Sequence, residues 1–572
     1  IRRRREEGSR ERRIQGHREA LMARAFASFF RSPAGTPTPN SFRYVFAALS
    51  GAALSFSFTG FYLSIYSYVC VGILLIVIFG AKPRVAFLCG GLHMLFYIVT
   101  SVPWIADVLA EHGGIPKIAG WGLVVLIGLY LGLLCGGFAW CVNRLAQRSI
   151  LLACVGAPFL WVTLEFVKEH FPEISFPWGL LGYSPSSNLG LLQITTLTGI
   201  YGLSFFAAAI NAIFAWCDAS TETPVRTRVT VLVTTLVLLI AIILIAPRFV
   251  PTVPANHYAR GVQLNFPEVN DYPANWYPLH AEDLNEIEQL SLEPSAKNPD
   301  MLIWPETPAP FSFEDARFLN RASEIGKKFG HPFLAGSIEW RPLAPTGQQM
   351  ISHTLVPYNS AVLVDKTGRA VFTYDKIHLV PFGEYEPFPL IHRVVKSVSS
   401  EIGGFAKGTK FGVAKLPNGF SFSSFICYEA IYPGEIRKFA AEGAQLFINI
   451  SNDGWFGHSA AAEQHLRMAR VRAVENRRFM LRVTNSGITA SVDPYGRIFS
   501  PVPPDVRAGV DLPYDFRTDK TVYTRFGDWF AWLCVIVSVI LVASTFRKGE
   551  SAGEGIAIPV VEPLLDAPVA TA

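Results

Sequence analysis

The 572-residue chain has eight cysteines, and only Cys427 lies in its one long stretch of ordinary soluble composition. The other seven, Cys70, Cys89, Cys135, Cys141, Cys154, Cys217 and Cys534, fall in apolar runs, where cysteine serves as a small hydrophobe. A single cysteine excludes an internal disulfide framework for the soluble stretch in any compartment, and the sequence also lacks the Cys/His spacing of a zinc site. One-sided charge is scarce. The formal net charge is +5, and the arginines of the first 31 residues bias it, which is no argument for a nucleic-acid partner. Ionisable residues are few in the apolar runs beyond Asp107 and Glu165, both expected near outer ends, so an ion or solute pathway has little to be built from.

Hydrophobic residues, by contrast, make up half of the chain and are unevenly spread. Long apolar runs reach to Pro247, and another extends from Trp529 to Ser544. The runs predict membrane spans near 43–58, 61–80, 84–106, 118–142, 150–168, 192–217, 228–246 and 528–545, the first and fifth being the weakest against the ~20 apolar residues a span requires. Basic residues mark alternate breaks: Lys82 and Arg84, Arg144 and Arg148, Arg226 and Arg228, Arg547 and Lys548. Lys117 and Lys168 flank the other breaks, so the bias is a majority only. It places both termini in the cytoplasm and the large soluble stretch on the outer, periplasm-like face, with the first span as an uncleaved anchor.

The expected organisation is a basic cytoplasmic tail at 1–42, a seven-span membrane domain at 43–250, an outer α/β domain at 257–515, a final span at 528–545 and a disordered cytoplasmic tail at 546–572. Residues 1–21 precede Met22, which opens a more usual short leader, and no function is placed on them. The outer stretch alternates short strands with helical patterns, including strands at 259–264, 301–304 and 446–450 and helices at 278–290, 313–329 and 461–476. The aromatic, proline-rich break at 171–183 reads equally as an interfacial aromatic belt or as a loop packed under the outer domain.

Residues 421–433 read as an apolar strand that stops at Cys427 and turns into a helix at Pro433-Gly434. Such a turn holds a side chain rigidly and leaves backbone N–H groups free for a developing oxyanion. A buried structural cysteine is the alternative, and the lack of any disulfide partner shifts the balance toward a reactive thiol. A cysteine nucleophile needs a carboxylate to take its proton and a fixed positive charge. Glu306, ending a strand in Trp304-Pro305-Glu306, and Lys376, following a hairpin strand in Tyr374-Asp375-Lys376, supply one of each. Taken singly, either charge reads as a solvated strand-end residue. Together the three fit the rule that sites gather at strand ends of α/β folds.

These motifs, with Ile426-Cys427-Tyr428-Glu429 and Ser451-Asn452-Asp453-Gly454-Trp455-Phe456-Gly457, resemble the carbon-nitrogen hydrolase (nitrilase) superfamily and, more narrowly, the apolipoprotein N-acyltransferases of the bacterial inner membrane. The resemblance implies a multi-span α-helical membrane domain of about eight helices joined to an α/β nitrilase-like α-β-β-α sandwich. It implies Glu306 as general base, Lys376 as oxyanion stabiliser and Cys427 as nucleophile, with supporting or substrate-binding roles for Glu384, Tyr428, Glu429 and Trp276. The acyl donor would be a membrane phospholipid, typically phosphatidylethanolamine, and the acceptor the α-amine of an S-diacylglyceryl-cysteine apolipoprotein. No cofactor and no metal are implied, and a monomer is expected because the spans cover surface that soluble relatives bury by dimerising.

Two other readings compete. A membrane-tethered amidase would use water as acceptor, and a non-catalytic scaffold or transporter would not need the triad. The spans argue against the first and the intact Glu306, Lys376 and Cys427 set against the second. The stretch 382–395 reads equally as a membrane-facing lid or as a loop packed on the spans. His378 is expected to hydrogen-bond locally, and Arg467, Arg470 and Arg472 to form a solvated or ion-paired helix face. Asp453 and Trp455 sit at a strand end, where they are placed to shape the pocket with no catalytic role assigned, and the Asn449-Ile450-Ser451 sequon lies in an apolar strand.

Overall fold

A computed structural model describes residues 38–58, 62–111, 115–171, 175–266, 281–308, 316–342, 355–381, 383–385 and 404–546. Trp276, most of 382–395 and both tails lie outside the described residues.

The apolar runs fold as helices α1 (Asn40–Ser55), α2 (Cys70–Ile78), α3 (Pro83–Ser101), α4 (Trp104–Glu111), α5 (Lys117–Ala146), α6 (Ile150–His170), α7 (Ile200–Ala219) and α8 (Val225–Ile245). Among the described residues, five helical segments are long and apolar enough to cross a membrane: Pro83–Ser101, Lys117–Ala146, Ile150–His170, Ile200–Ala219 and Val225–Phe249. The expected spans depart from this in local ways. At 61–80 the chain runs first as a 3-10 helix, Tyr62–Tyr68, and only then as α2. The segment 84–106 breaks at Pro103, whose ring cannot continue the α3 hydrogen-bond ladder, and α4 resumes after it. The fifth span is an unbroken 21-residue helix despite Pro158 in its interior. At 192–217, Gly199 adopts a left-handed conformation (φ 63°) and separates the turn Thr195–Thr198 from α7.

After α8 the chain enters two six-stranded sheets. Sheet one has the order β12-β1-β2-β3-β4-β5, and sheet two has the order β11-β10-β9-β8-β7-β6. The first comprises β1 (His257–Gln263), β2 (Met301–Ile303), β3 (Phe333–Pro342), β4 (Leu355–Val364) and β5 (Ala370–Asp375), closed at its edge by β12 (Ala508–Tyr514). The second comprises β6 (Ala414–Lys415), β7 (Ser421–Ile426), β8 (Leu446–Ser451), β9 (Phe479–Thr484), β10 (Thr489–Val492) and β11 (Ile498–Val502). The middle of each sheet is parallel, β1-β2-β3 in one and β7-β8-β9 in the other.

Strand periodicity explains the layering. Met301, Ile303, Leu334, Ala361 and Leu363 point into the core between the sheets. Their neighbours Leu302, Trp304, Phe333, Val362 and Val364 pack under helices α9 (Ala281–Leu292) and α10 (Ala316–Phe329), with Leu284, Ile287, Ala322 and Ile325. Helices α11 (Pro433–Ala441) and α12 (Ala461–Asn476) cover sheet two, completing an α-β-β-α sandwich. Because β12 pairs antiparallel with β1, His257 opposite Tyr514, the chain leaves the sandwich beside the point where it entered. It returns through α13 (Val522–Phe526) to the apolar helix α14 (Trp529–Ser544).

Helix α12 faces the membrane domain. Arg472 is fully buried, pairs with Glu475 at 3.0 Å and donates to the Tyr183 hydroxyl at 3.2 Å. Glu475 in turn accepts the first amide of α7, from Ile200, at 2.9 Å. Arg467 and Arg470 bind the carbonyls of Ser57 and Ser186 in the membrane domain. Of the expected solvated or ion-paired face, Arg472 shows the ion pair, while the face is covered rather than solvated: these arginines close the seam between the sandwich and the membrane helices. The described part of the break at 171–183, residues 175–183, packs under the α/β sandwich. Trp178 is 1 % exposed and donates its indole N–H to Gln464 at 2.7 Å. From below, Tyr97 and Lys168 donate to the Gly179 and Trp178 carbonyls, and Glu165 accepts the Leu181 amide. Glu165 is therefore a buried anchor for this loop.

Candidate active site

Glu306 follows β2, Lys376 follows β5 and Cys427 follows β7, so the two facing sheets each contribute a strand end. All three side chains are buried, at 5 %, 1 % and 6 % exposure. The Lys376 ammonium lies 3.2 Å from Glu306 Oε1 and 3.0 Å from Glu384 Oε1. Asn359 of β4 donates to the same two oxygens, at 2.7 Å each. One carboxylate oxygen of each glutamate is thus fixed by an ammonium and an amide together. The second oxygen of Glu384 accepts the Val380 amide at 2.8 Å, whereas Glu306 Oε2 is buried with no hydrogen-bond partner among the described residues. Burial works against the charge on Lys376, but Glu306, Glu384 and Cys427 outweigh it and hold the group above the ordinary lysine range.

Cys427 opens a 3-10 turn, Cys427–Ile431, directly from β7 and has φ 49°. A non-glycine residue in the left-handed region is strained, by ~1–3 kcal/mol, and such residues cluster at functional sites. Burial pushes the thiol well up, Glu306 adds to the rise and Lys376 opposes it. The cysteine therefore rests as a thiol, and a nucleophilic role would need a base. Two glycines let the backbone approach closely enough to assemble the site. A Cβ on Gly336 would lie 2.4 Å from the Pro305 carbonyl oxygen, and one on Gly408 would lie 2.1 Å from that of Asp375.

Glu429 stands behind Cys427. Its Oε1 accepts from the Tyr374 hydroxyl (2.7 Å), the Ile377 amide (2.7 Å) and the His378 amide (3.1 Å), and its Oε2 accepts the Ile426 amide (2.7 Å). Burial lifts its carboxyl to about 7 against the pull of those donors. Tyr428 is buried and packs edge-on to Tyr432 at 5.6 Å. His378 stacks on Tyr432 at 3.6 Å and meets Glu435 at 3.3 Å, the local contact expected of it. Trp276 lies outside the described residues.

The sequence reading missed the other wall of the site. His465 of α12 and Arg482 of β9 are fully buried beside Asp453. Arg482 donates to Asp453 Oδ2 at 2.6 Å and to the Asn449 side chain, and its Nη2 lies 3.1 Å from His465 Nδ1. Burial opposes the Asp453 carboxylate, but Arg482 and His465 hold it far below the usual range. Burial and Arg482 together lower His465. Cys427, Asp453 and His465 place ligand-type atoms within 4.8 Å of one another, but Arg482 donates to Asp453 and its cation lies 3.1 Å from His465, so the cluster reads as a hydrogen-bond network. An arginine in the middle of the apolar strand Phe479–Thr484 was the legible signal.

The sandwich and the buried Glu-Lys-Cys cluster define a carbon-nitrogen hydrolase domain carried on membrane helices. A family model described as Carbon-nitrogen hydrolase matches residues 262–510, and one described as Apolipoprotein N-acyltransferase N-terminal domain matches residues 50–213. The apolipoprotein N-acyltransferase of Geobacter metallireducens is 32% identical over 512 residues, 88% of this chain and 95% of that protein. That of Vibrio parahaemolyticus is 27% identical over 88% of this chain and 97% of its own length. That of Rhodopseudomonas palustris is 31% identical over 75% of this chain and 78% of its own length. Among solved structures, an amidase from Nesterenkonia sp. is similar at 19% identity and a TM-score of 0.32, over 48% of this chain and 94% of that one. The chain belongs to the apolipoprotein N-acyltransferase family.

Proposed function

We propose that this membrane protein transfers an acyl chain from a phospholipid, through a thioester on Cys427, to the N-terminal amine of an S-diacylglyceryl-cysteine apolipoprotein. The observation that carries the reading is the buried Glu306, with one oxygen held by Lys376 and Asn359 and the other unpartnered, beside a thiol that burial keeps protonated.

In the first half-reaction Glu306 takes the thiol proton as Sγ attacks the ester carbonyl. Lys376 stabilises the oxyanion electrostatically. Collapse expels the lysophospholipid alkoxide, which recovers the proton from Glu306, leaving the acyl group on sulfur. In the second half the acceptor α-amine gives a proton to Glu306 and attacks the thioester. The amide forms, the sulfur leaves, and the proton returns to it. Splitting the transfer this way gives ping-pong kinetics. Glu384 holds Lys376 in place, Glu429 and Tyr428 support the nucleophile's turn, and Trp276 contacts substrate.

The donor is phosphatidylethanolamine and the protein works as a monomer, without cofactor, in the bacterial inner membrane. The membrane domain at 43–250 and the final span at 528–545 set the sandwich at 257–515 on the periplasmic face, with both termini cytoplasmic. Both substrates are lipid-anchored, and the hydrogen bonds that tie α12 and Trp178 to the membrane helices support a site held close to the bilayer.

Transfer of a labelled acyl chain from phosphatidylethanolamine to a diacylglyceryl-cysteine peptide tests the proposal. It should require Cys427, disappear in Glu306→Gln and Lys376→Met, and follow parallel double-reciprocal lines. Intersecting lines, or transfer retained by Cys427→Ala, would defeat it.

A further inference from the structure

The backbone of the nucleophile is held from one side by a residue the proposed chemistry does not use. His465 Nε2 lies 3.0 Å from the Cys427 carbonyl oxygen, and both groups are buried. A carbonyl only accepts, so Nε2 carries the proton. The ring cannot turn away from this task. Arg482 Nη2 lies 3.1 Å and Asp453 Oδ1 2.9 Å from Nδ1, and Ser451 donates to that carboxylate oxygen at 2.8 Å. The Trp178 ring of the membrane-domain loop lies 5.9 Å away on the same side.

The peptide joining Cys427 and Tyr428 is planar and trans, so its carbonyl and its N–H point in opposite directions. Anchoring the carbonyl on His465 therefore fixes where the Tyr428 N–H points. That N–H belongs to the first turn of the 3-10 helix, where amides have no partner inside the helix. Cys427 itself is in the left-handed region, a conformation a non-glycine residue does not hold by preference, and the His465 contact adds an anchor from outside the turn.

We propose that His465 is a positioning residue for acyl transfer: by holding the Cys427 carbonyl it aims the Tyr428 N–H at the oxyanion formed when Cys427 attacks. The inference rests on Cys427 being the nucleophile.

The test measures single-turnover formation of the Cys427 acyl adduct by the full-length protein in detergent with phosphatidylethanolamine, for wild type, His465→Gln and His465→Met. Glutamine places an N–H donor where Nε2 stands, and methionine fills similar space without one. Loss of a whole oxyanion donor costs ~10²–10³-fold, so a misaimed one should slow His465→Met by about 30- to 100-fold at unchanged half-saturating phospholipid, with His465→Gln within about 5-fold of wild type. Equal rates for the two variants, wild-type rate in His465→Met, or a change confined to half-saturation would overturn the proposal. If His465→Met shows no thermal transition, His465→Asn replaces it, since its amide is too short to reach the carbonyl, and the same outcomes apply. If wild type forms no adduct, the acyltransferase reading fails and this inference with it; an adduct on wild type with no donor-dependent loss sinks the inference alone.

Discussion

Glu429 accepts the Ile377 amide at 2.7 Å, so a carboxylate on the turn that opens at Cys427 fixes the backbone next to Lys376. The same side chain accepts Ile426 N–H at the end of β7, so one buried group ties the strand ends of both sheets together. This explains how a lysine on sheet one and a cysteine on sheet two keep register.

Glu429→Gln should be nearly inactive and less stable. Its amide would turn donors toward donors, and an unsatisfied buried group costs ~1–3 kcal/mol. The pH dependence follows from a carboxyl raised to about 7 by burial. The unfolded chain releases this proton near ~4.3 and the folded protein near 7, so the folded state binds more protons between those values. This group's contribution therefore favours folding at low pH and declines as pH rises from about 4.5 to 7. Melting temperatures of the detergent-solubilised protein should show that slope in wild type and a shallower one in Glu429→Gln.

Asn359→Ala should slow acylation about 10- to 100-fold with little change in half-saturation, since hydrogen bonds to charged groups contribute ~1.5–3 kcal/mol. Rapid-quench measurement of the adduct checks it. An unchanged rate would mean that Lys376 alone fixes Glu306.

Trp178→Phe removes the indole donor to Gln464 across the domain seam. The melting temperature should fall by the equivalent of ~1–3 kcal/mol, as for any buried acceptor left unpaired. A variant as stable as wild type would mean that this bond does not help join the domains.

Cys427 should react with iodoacetamide slowly at neutral pH, and its rate should climb ~10-fold per pH unit from 7 to 9 without levelling, because burial raises the thiol. A plateau below pH 8 would show a preformed thiolate and remove the need for Glu306 as base.

The strand ends carrying Glu306, Lys376 and Cys427 were legible because each follows a short apolar strand closed by a charged or reactive residue. What brings them together was less legible. Gly336 and Gly408 sit against Pro305 and Asp375, a close approach that sequence spacing does not reveal. Asn359 hides in the apolar strand β4, where a polar residue reads as a solvent-facing one. His465 lies on a helix whose arginines suggested a wet face, yet that face is covered by the membrane domain. The spans were read from hydropathy, and their breaks at Pro103 and Gly199 come from backbone chemistry that hydropathy does not weigh.

The central claim is a thioester on Cys427 that an amine discharges. Intact-protein mass spectrometry after incubation with phosphatidylethanolamine, beside a Cys427→Ala control, measures it directly. The account predicts a hydroxylamine-labile acyl adduct on the wild type alone, released by a diacylglyceryl-cysteine peptide much faster than by water. No adduct, or release by water as fast as by the peptide, would contradict it.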